Sequence, residues 1–435
     1  MAQLTVTRPA SQPLCAPPAE RTRGPLPVLL GWVLLVAAAL GWGQATIVGR
    51  GLAVNAAPLV GRWRWEPNLL LAVPAAVAVL VVVMGPRVAA RAPWRLVPPL
   101  TAASAAVWAV SLAASDGWDR VTEPLTTRHE YEPFAATIDG PGRFLRDYVA
   151  ELPGRPIHVQ GHPPGATLVP WLLDVIGLDG AGWYAALVVA GWGIAVGAVL
   201  VAARTVAGEP VARRAAPALA LLPAALWAGT SADALFAAVV ASGVALAVTP
   251  SARAAVAGGL VLGLALLLTY GAVLALGVPV AVHGLARRPW LAVGVLGGAA
   301  VVLVVVAVTS GFWWLDGLEA TRLAYVDGVA ADRPDAYFAL AGNPGALALA
   351  VGPAVAVGLD SAVRRWRAPS ARLPLLGLLI VVAANASLLS KGEVERIWLP
   401  FVPLLALSAP GARRGWLIAQ AGLALLLQAW LQSKW

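Results

Sequence analysis

Three observations predict an all-α protein that crosses a membrane many times. The chain has 435 residues, of which 59% are hydrophobic and only 12% charged, whereas soluble domains are about one quarter charged. Its mean hydropathy is +0.77. Many of the arginines are spread through short loops between long apolar runs. A large soluble core is excluded, and the lipid bilayer is the first partner expected. The formal charge of +9 raises the question of nucleic acid. The spread of arginines through short loops is instead what the positive-inside rule produces, so no nucleic-acid partner is expected. A single cysteine, Cys15, excludes an internal disulfide and a cysteine metal cluster.

Residues 1–24 read as a disordered cytoplasmic tail with Arg8, Arg21 and Arg23. The run from Leu26 to Trp42 lacks a small-residue cleavage site followed by a soluble domain, so it is a first membrane helix and not a removed signal. Further apolar runs cover 68–84, 96–114, 181–203, 215–229, 232–248, 255–269, 271–285, 291–309, 343–359, 373–389, 397–409 and 416–432. Loops bearing Arg87/Arg91/Arg95, Arg204/Arg213/Arg214, Arg253, Arg287/Arg288, Arg364/Arg365/Arg367/Arg372 and Arg413/Arg414 are expected in the cytoplasm. Loops 44–67, 115–162 and 310–342 are expected outside. Two apolar runs, 163–178 and 181–203, then lie between an outer and an inner loop, and parity allows only one to cross. The shorter, which carries Asp174 and ends in Leu-Asp-Gly-Ala-Gly, is expected to lie at the outer interface. About 13 crossings follow, with the N-terminus inside and the C-terminus outside. The chain divides into the tail, N-terminal transmembrane helices 25–114, an extracytoplasmic loop with a juxtamembrane helix at 115–180, and a transmembrane core at 181–435.

Transporters usually place polar groups in mid-membrane on repeated halves. Here they gather at outer helix ends, in four clusters. The first is the 115–165 stretch, with eight carboxylates and five arginines. The second is "WAGTSADALFAA", where Asp233 starts a helix. The third is 310–342, with Asp316, Glu319, Asp327, Asp332 and Asp335. The fourth, "SKGEVERIWLPFVP", sets Lys391, Glu393, Glu395 and Arg396 at a membrane boundary, which is costly unless the charges are paired or used. Each has a plainer reading. Asp233, after Thr230 and Ser231, would cap a helix. Lys391 to Arg396 would be interfacial ion pairs, and the loop carboxylates would face solvent. His158 and His162 are spaced i, i+4, but Gly161 and Pro163 argue against a helical metal pair, so no metal is expected.

The order of these features resembles the C-type (GT-C) membrane glycosyltransferases, in particular the branch of protein O-mannosyltransferases and aminoarabinose transferases. An acidic loop is followed by His162-Pro163-Pro164 before a short apolar helix, then "ADALFAA", then "GLVLGLALLLTYGAVLAL". The likeness runs from about Ser115 to Leu276, and in that branch the segment opened by His-Pro-Pro is similar to a juxtamembrane helix. The resemblance implies a sugar donor carried on a polyprenyl phosphate and an envelope glycan, lipid or protein as acceptor. It implies inverting, metal-independent transfer without a cofactor, at the extracytoplasmic face of the plasma membrane. It also implies an acidic base in the first large loop. The family's Asp-Glu pair has no match there, and Glu130 in His129-Glu130-Tyr131 is its nearest equivalent, with Asp116, Asp119 and Glu132 as rivals. Asp233 matches the acidic residue of the second outer loop, whereas the two extra N-terminal crossings depart from the family pattern. Such transfer needs a carboxylate for the acceptor proton and cations for the growing phosphate charge. Arg396 and Lys391 are candidates for the phosphate, and His162, Asp233, Glu393 and Glu395 complete the expected substrate site.

Two other classes compete with this reading. A lipid-linked saccharide flippase or other multi-pass transporter wants charges along a central path. A non-catalytic scaffold wants no polar clusters at one face. His162, Asp233 and Arg396 around one cavity would favour the transferase.

Overall fold

The computed structural model describes residues 24–52 and 54–434. Apart from Gly24, the expected tail 1–24, with Cys15, lies outside the described residues. Six helices are long and apolar enough to cross a bilayer: Leu26–Thr46, Leu69–Arg91, Trp94–Asp116, Ala181–Ala207, Pro289–Ser310 and Pro369–Ala386. At a rise of 1.5 Å per residue they reach roughly 27–40 Å, enough for a hydrocarbon core of about 30 Å. The chain is therefore a mostly helical membrane protein.

The thirteen crossings expected from charge counting are not reproduced at that length. Other apolar runs fold as shorter helices, among them Asp233–Ala247, Ala252–Leu266 and Ala272–Leu285. The 215–229 run is interrupted before Pro223, leaving helices Glu209–Ala220 and Ala225–Ala228. The run at 343–359 is two helices, Asp335–Val351 and Pro353–Arg364, that meet at 103°. Pro353 has no N–H to give and forces the residue before it out of the helical region. That residue is Gly352, at φ 80°. Gly165–Val175, with 11 residues, spans only about 16 Å and is too short to cross as a regular helix.

Helices in lipid gain little from hydrophobic exclusion and hold together by close packing of small residues. Ala252–Leu266 and Pro289–Ser310 approach so closely that a Cβ on Gly259 would run into the carbonyl of Val295. Not everything is helical, as the all-α expectation required. Val54–Asn55 pairs in parallel with Gly61–Trp63, which pairs antiparallel with Leu431–Gln432. The backbone N–H of Arg64 and Glu66 continue the ladder to Trp430 and Ala429. The 44–67 loop and the C-terminal end are thereby tied at one end of the bundle. A small second core of Ile47, Val54, Val60, Tyr337 and Phe338 fills the space beneath that loop.

The sharp break at Gly352 leaves backbone groups that water cannot reach. Gln420, fully buried on helix Arg414–Trp430, meets them: its Nε2 donates to Val351 O at 2.8 Å and its Oε1 accepts from Ala354 N at 3.2 Å. Leucine fills similar space and satisfies neither group. Gln420→Leu is expected to destabilise the protein by about 2–5 kcal/mol, since each stranded group costs about 1–3 kcal/mol. Equilibrium unfolding in mixed micelles checks this, and a change below about 0.5 kcal/mol would contradict it.

Candidate functional site

The segment "PIHVQGHPPG" makes one turn of helix, Ile157–Gly161, and then stops. His162 precedes Pro163 and is held extended, at φ −134° and ψ 159°, as the proline ring requires of the residue before it. Tyr148 pins this turn, donating its hydroxyl toward Val159 O at 2.8 Å and His162 O at 2.5 Å. The turn delivers two imidazoles to one cavity. His162 Nδ1 lies 3.1 Å from Leu268 O, and its ring meets Tyr131 edge-on at 5.7 Å. Burial pushes His162 below the usual imidazole range, against an opposing pull from Asp233. His158 Nδ1 is 2.7 Å from Glu130 Oε1.

The other side of the cavity comes from "KGEVERI". Gly392 and Glu393 both take positive φ, 87° and 62°, a conformation uncommon for a residue with a side chain. The single turn Val394–Ile397 follows. It places Arg396 in the centre of the site, nearly buried. Arg396 Nη1 donates to Asp233 Oδ2 at 2.7 Å, and Nη2 donates to Glu393 Oε2 at 2.7 Å. Nη2 also lies 3.3 Å from His158 Nε2. Burial works against the guanidinium charge, but Asp233 and Glu393 more than offset it and hold Arg396 charged. Burial likewise pushes Glu393 up, yet Arg396 and Arg333 pull its carboxyl down to about 2.

The third side is the 328–335 segment. Arg333 donates to the Lys391 carbonyl and, at 3.3 Å, to Glu393 Oε1. Lys391 answers with an ion pair to Asp335 at 2.6 Å and donations to the carbonyls of Ala330 and Arg333. Between these walls is a cavity of about 820 Å³. Its lining combines His158, His162, Glu393, Arg396 and Arg333 with the apolar Val273, Leu274, Ile397 and Phe401.

All four polar clusters thus contribute to one place, but not every expected residue does. His162, Asp233, Glu393 and Arg396 meet there. Glu130 joins them although its loop was expected to be solvated: it is only 4% exposed, because His158 folds over it. Asp233 was open to reading as a helix cap, but no capping bond forms. Its Oδ2 instead accepts from Arg396 and from Ser231 Oγ. Lys391 braces the 330–335 segment. Glu395 turns away and is fully buried, its Oε1 accepting from Val60 N at 3.0 Å. Asp116 is exposed and held by Asn68 and Gln428 near the C-terminal helix, and Asp119 is exposed on the turn Trp118–Val121. Glu132 is pushed up by burial and by Asp174. Two contributors were not expected. Arg333 gives no sequence signal within an acidic loop, while His158 had one in the His-x-x-x-His spacing. Among the described residues no group of three or more His, Cys, Asp or Glu is placed to hold a metal.

A comparison with solved structures finds the crystal structure of ArnT from Cupriavidus metallidurans in the apo state. Identity is 20% and the TM-score 0.40, over 67% of this chain and 57% of that one, so this chain spans less than two thirds of that protein's length. No family model matches the sequence, and no curated protein does. At that identity and score the likeness carries no function across.

Burial pushes the Glu395 carboxyl up to about 7. A carboxyl raised in the folded chain keeps its proton longer there than in the unfolded chain. Its contribution to stability is therefore complete below the unfolded value of about 4.5 and is lost as pH rises through about 7. Wild-type protein is expected to lose thermal stability between pH 5.5 and 8 more steeply than Glu395→Gln, whose side chain cannot ionise. Melting curves across that range check it, and equal slopes would contradict it.

Proposed function

We propose that the protein is a membrane glycosyltransferase that moves a sugar from a polyprenyl-phosphate donor to a hydroxyl of a cell-envelope glycan, lipid or protein. The observation that carries this reading is the amphiphilic cavity. Its volume, about 820 Å³, is in the upper part of the range for small-molecule sites, roughly 300–1,000 Å³. One wall suits a prenyl chain, and the other end suits a phosphate and a polyhydroxyl group.

The anion seat is already drawn. Glu393 holds one oxygen against Arg396 and the other against Arg333, so a carboxylate stands between two guanidiniums where a phosphate would be gripped. Arg396 does not offer an empty fork, since both its amino nitrogens face carboxylates. A phosphate would take over the bonds that Glu393 now makes. Charge growing on the departing phosphate would then be met by two fixed cations in a site of low dielectric. Carboxylates at the same end accept hydrogen bonds from sugar hydroxyls. The proposed face is the extracytoplasmic one, following the charge pattern of the loops. A transporter would want its buried charges along the spans, but among the described residues no buried Asp, Glu, His, Lys or Arg lies on any of the six.

The direct test is full-length protein in lipid vesicles with undecaprenyl phosphates bearing tritiated mannose, galactose or arabinose, and an alkyl glycoside as acceptor. Transfer of label to the acceptor with release of polyprenyl phosphate is expected from at least one donor. Intact donors throughout would contradict the reading.

A further inference from the structure

We infer that His158 takes the acceptor proton and that Glu130 positions it, an inference that rests on the transferase reading. Sequence reasoning points to a loop carboxylate as the base, with Glu130 foremost. The geometry inserts an imidazole between that carboxylate and the cavity. His158 lines the cavity, whereas Glu130 stands behind it, 2.7 Å away and nearly sealed from solvent.

The proton positions follow from the neighbours. A ring nitrogen and a carboxylate oxygen 2.7 Å apart repel unless a proton lies between them, so the hydrogen is assigned to Nδ1. At the other end Nε2 faces Arg396 Nη2 at 3.3 Å. A guanidinium can only donate, so Nε2 presents its lone pair. This is the tautomer a general base needs: an acceptor nitrogen toward the cavity and an N–H anchored to a buried carboxylate. The contact to Arg396 is longer than that guanidinium's two carboxylate bonds, so an acceptor hydroxyl can replace it at small cost. Tyr131 borders both imidazoles, its ring centroid 6.3 Å from that of His158 and 5.7 Å from that of His162.

The step balances. The acceptor oxygen attacks the anomeric carbon, and the bond from that carbon to the phosphate oxygen breaks with its electron pair going to the phosphate. The hydroxyl proton passes to Nε2, giving an imidazolium that Glu130 neutralises. Asp233 and Glu393 offset the charge of Arg396, which would otherwise oppose a second cation beside it. The proton then leaves to polyprenyl phosphate or water.

The experiment uses the full chain in lipid vesicles, with the labelled polyprenyl-phosphate sugars and alkyl glycoside above as probes. His158→Ala is expected to lower kcat on the order of 100-fold or more, and added imidazole to restore part of it while leaving wild type unchanged. His158→Gln covers a folding failure of the alanine variant and shows the same loss. Glu130→Gln is expected to lower kcat on the order of tenfold or more with KM unchanged, because the amide keeps the ring in place but cannot neutralise it. Glu130→Asp regains part of the loss. Active wild type with His158 variants above half its rate would overturn the base assignment and leave the transferase reading standing. Wild type that turns over no probe would overturn both.

Discussion

One guanidinium holds the polar end of this molecule together. Arg396 is nearly buried and touches Asp233 from one helix, Glu393 from its own turn, and His158 from the first long loop. A buried charge is tolerated only when paired, and stripping one partner from such a pair costs about 3–5 kcal/mol. Segments separated by more than two hundred residues are therefore not free to drift apart. Asp233 and Glu393 each supply a charge that the loss of Arg396 would strand.

The consequences run outward from that pair. With Glu393 fixed in a left-handed turn, its second oxygen reaches Arg333, and Arg333 and Lys391 clasp the 328–335 segment over the cavity. On the opposite side Glu395 binds Val60, so the 44–67 loop and the C-terminal strand join the same assembly. A cavity lined by these charges together with apolar side chains is what remains between these pieces. Neutral pairing of its charges means that an entering anion exchanges for an internal carboxylate and need not be desolvated against an unpaired cation. The same pairing lets an imidazole sit beside an arginine without a net excess of positive charge.

Much of this was legible in the sequence, for physical reasons. Composition alone forces a membrane protein, and charges at a membrane boundary are too costly to be idle, which marked Lys391, Glu393, Glu395 and Arg396. His162-Pro163-Pro164 marked the opening of the short helix that follows it. Other features were not legible. Glu393 and Glu395 are two residues apart with the same chemistry, and only the left-handed backbone at Glu393 sends one to the cavity and the other into the core. Glu130 read as solvated because nothing local shows that His158 will cover it. His158 itself was visible as half of an i, i+4 pair, but the proline that excludes a helical metal site also hides its partnership with a distant carboxylate. The count of about 13 crossings is not matched by six long apolar helices, because apolar content does not reveal where Gly352-Pro353 or Pro223 will break a helix.

The buried Arg396–Asp233 pair acts as a single energetic unit on which the site depends. A double-mutant cycle on full-length protein in mixed micelles, with Asp233→Asn, Arg396→Gln and the two combined, measures it directly. Each single variant is expected to be strongly destabilised and the double variant to recover part of the loss, with a coupling energy of about 2 kcal/mol or more. Losses that add within about 0.5 kcal/mol would show the two residues to be independent and would contradict it.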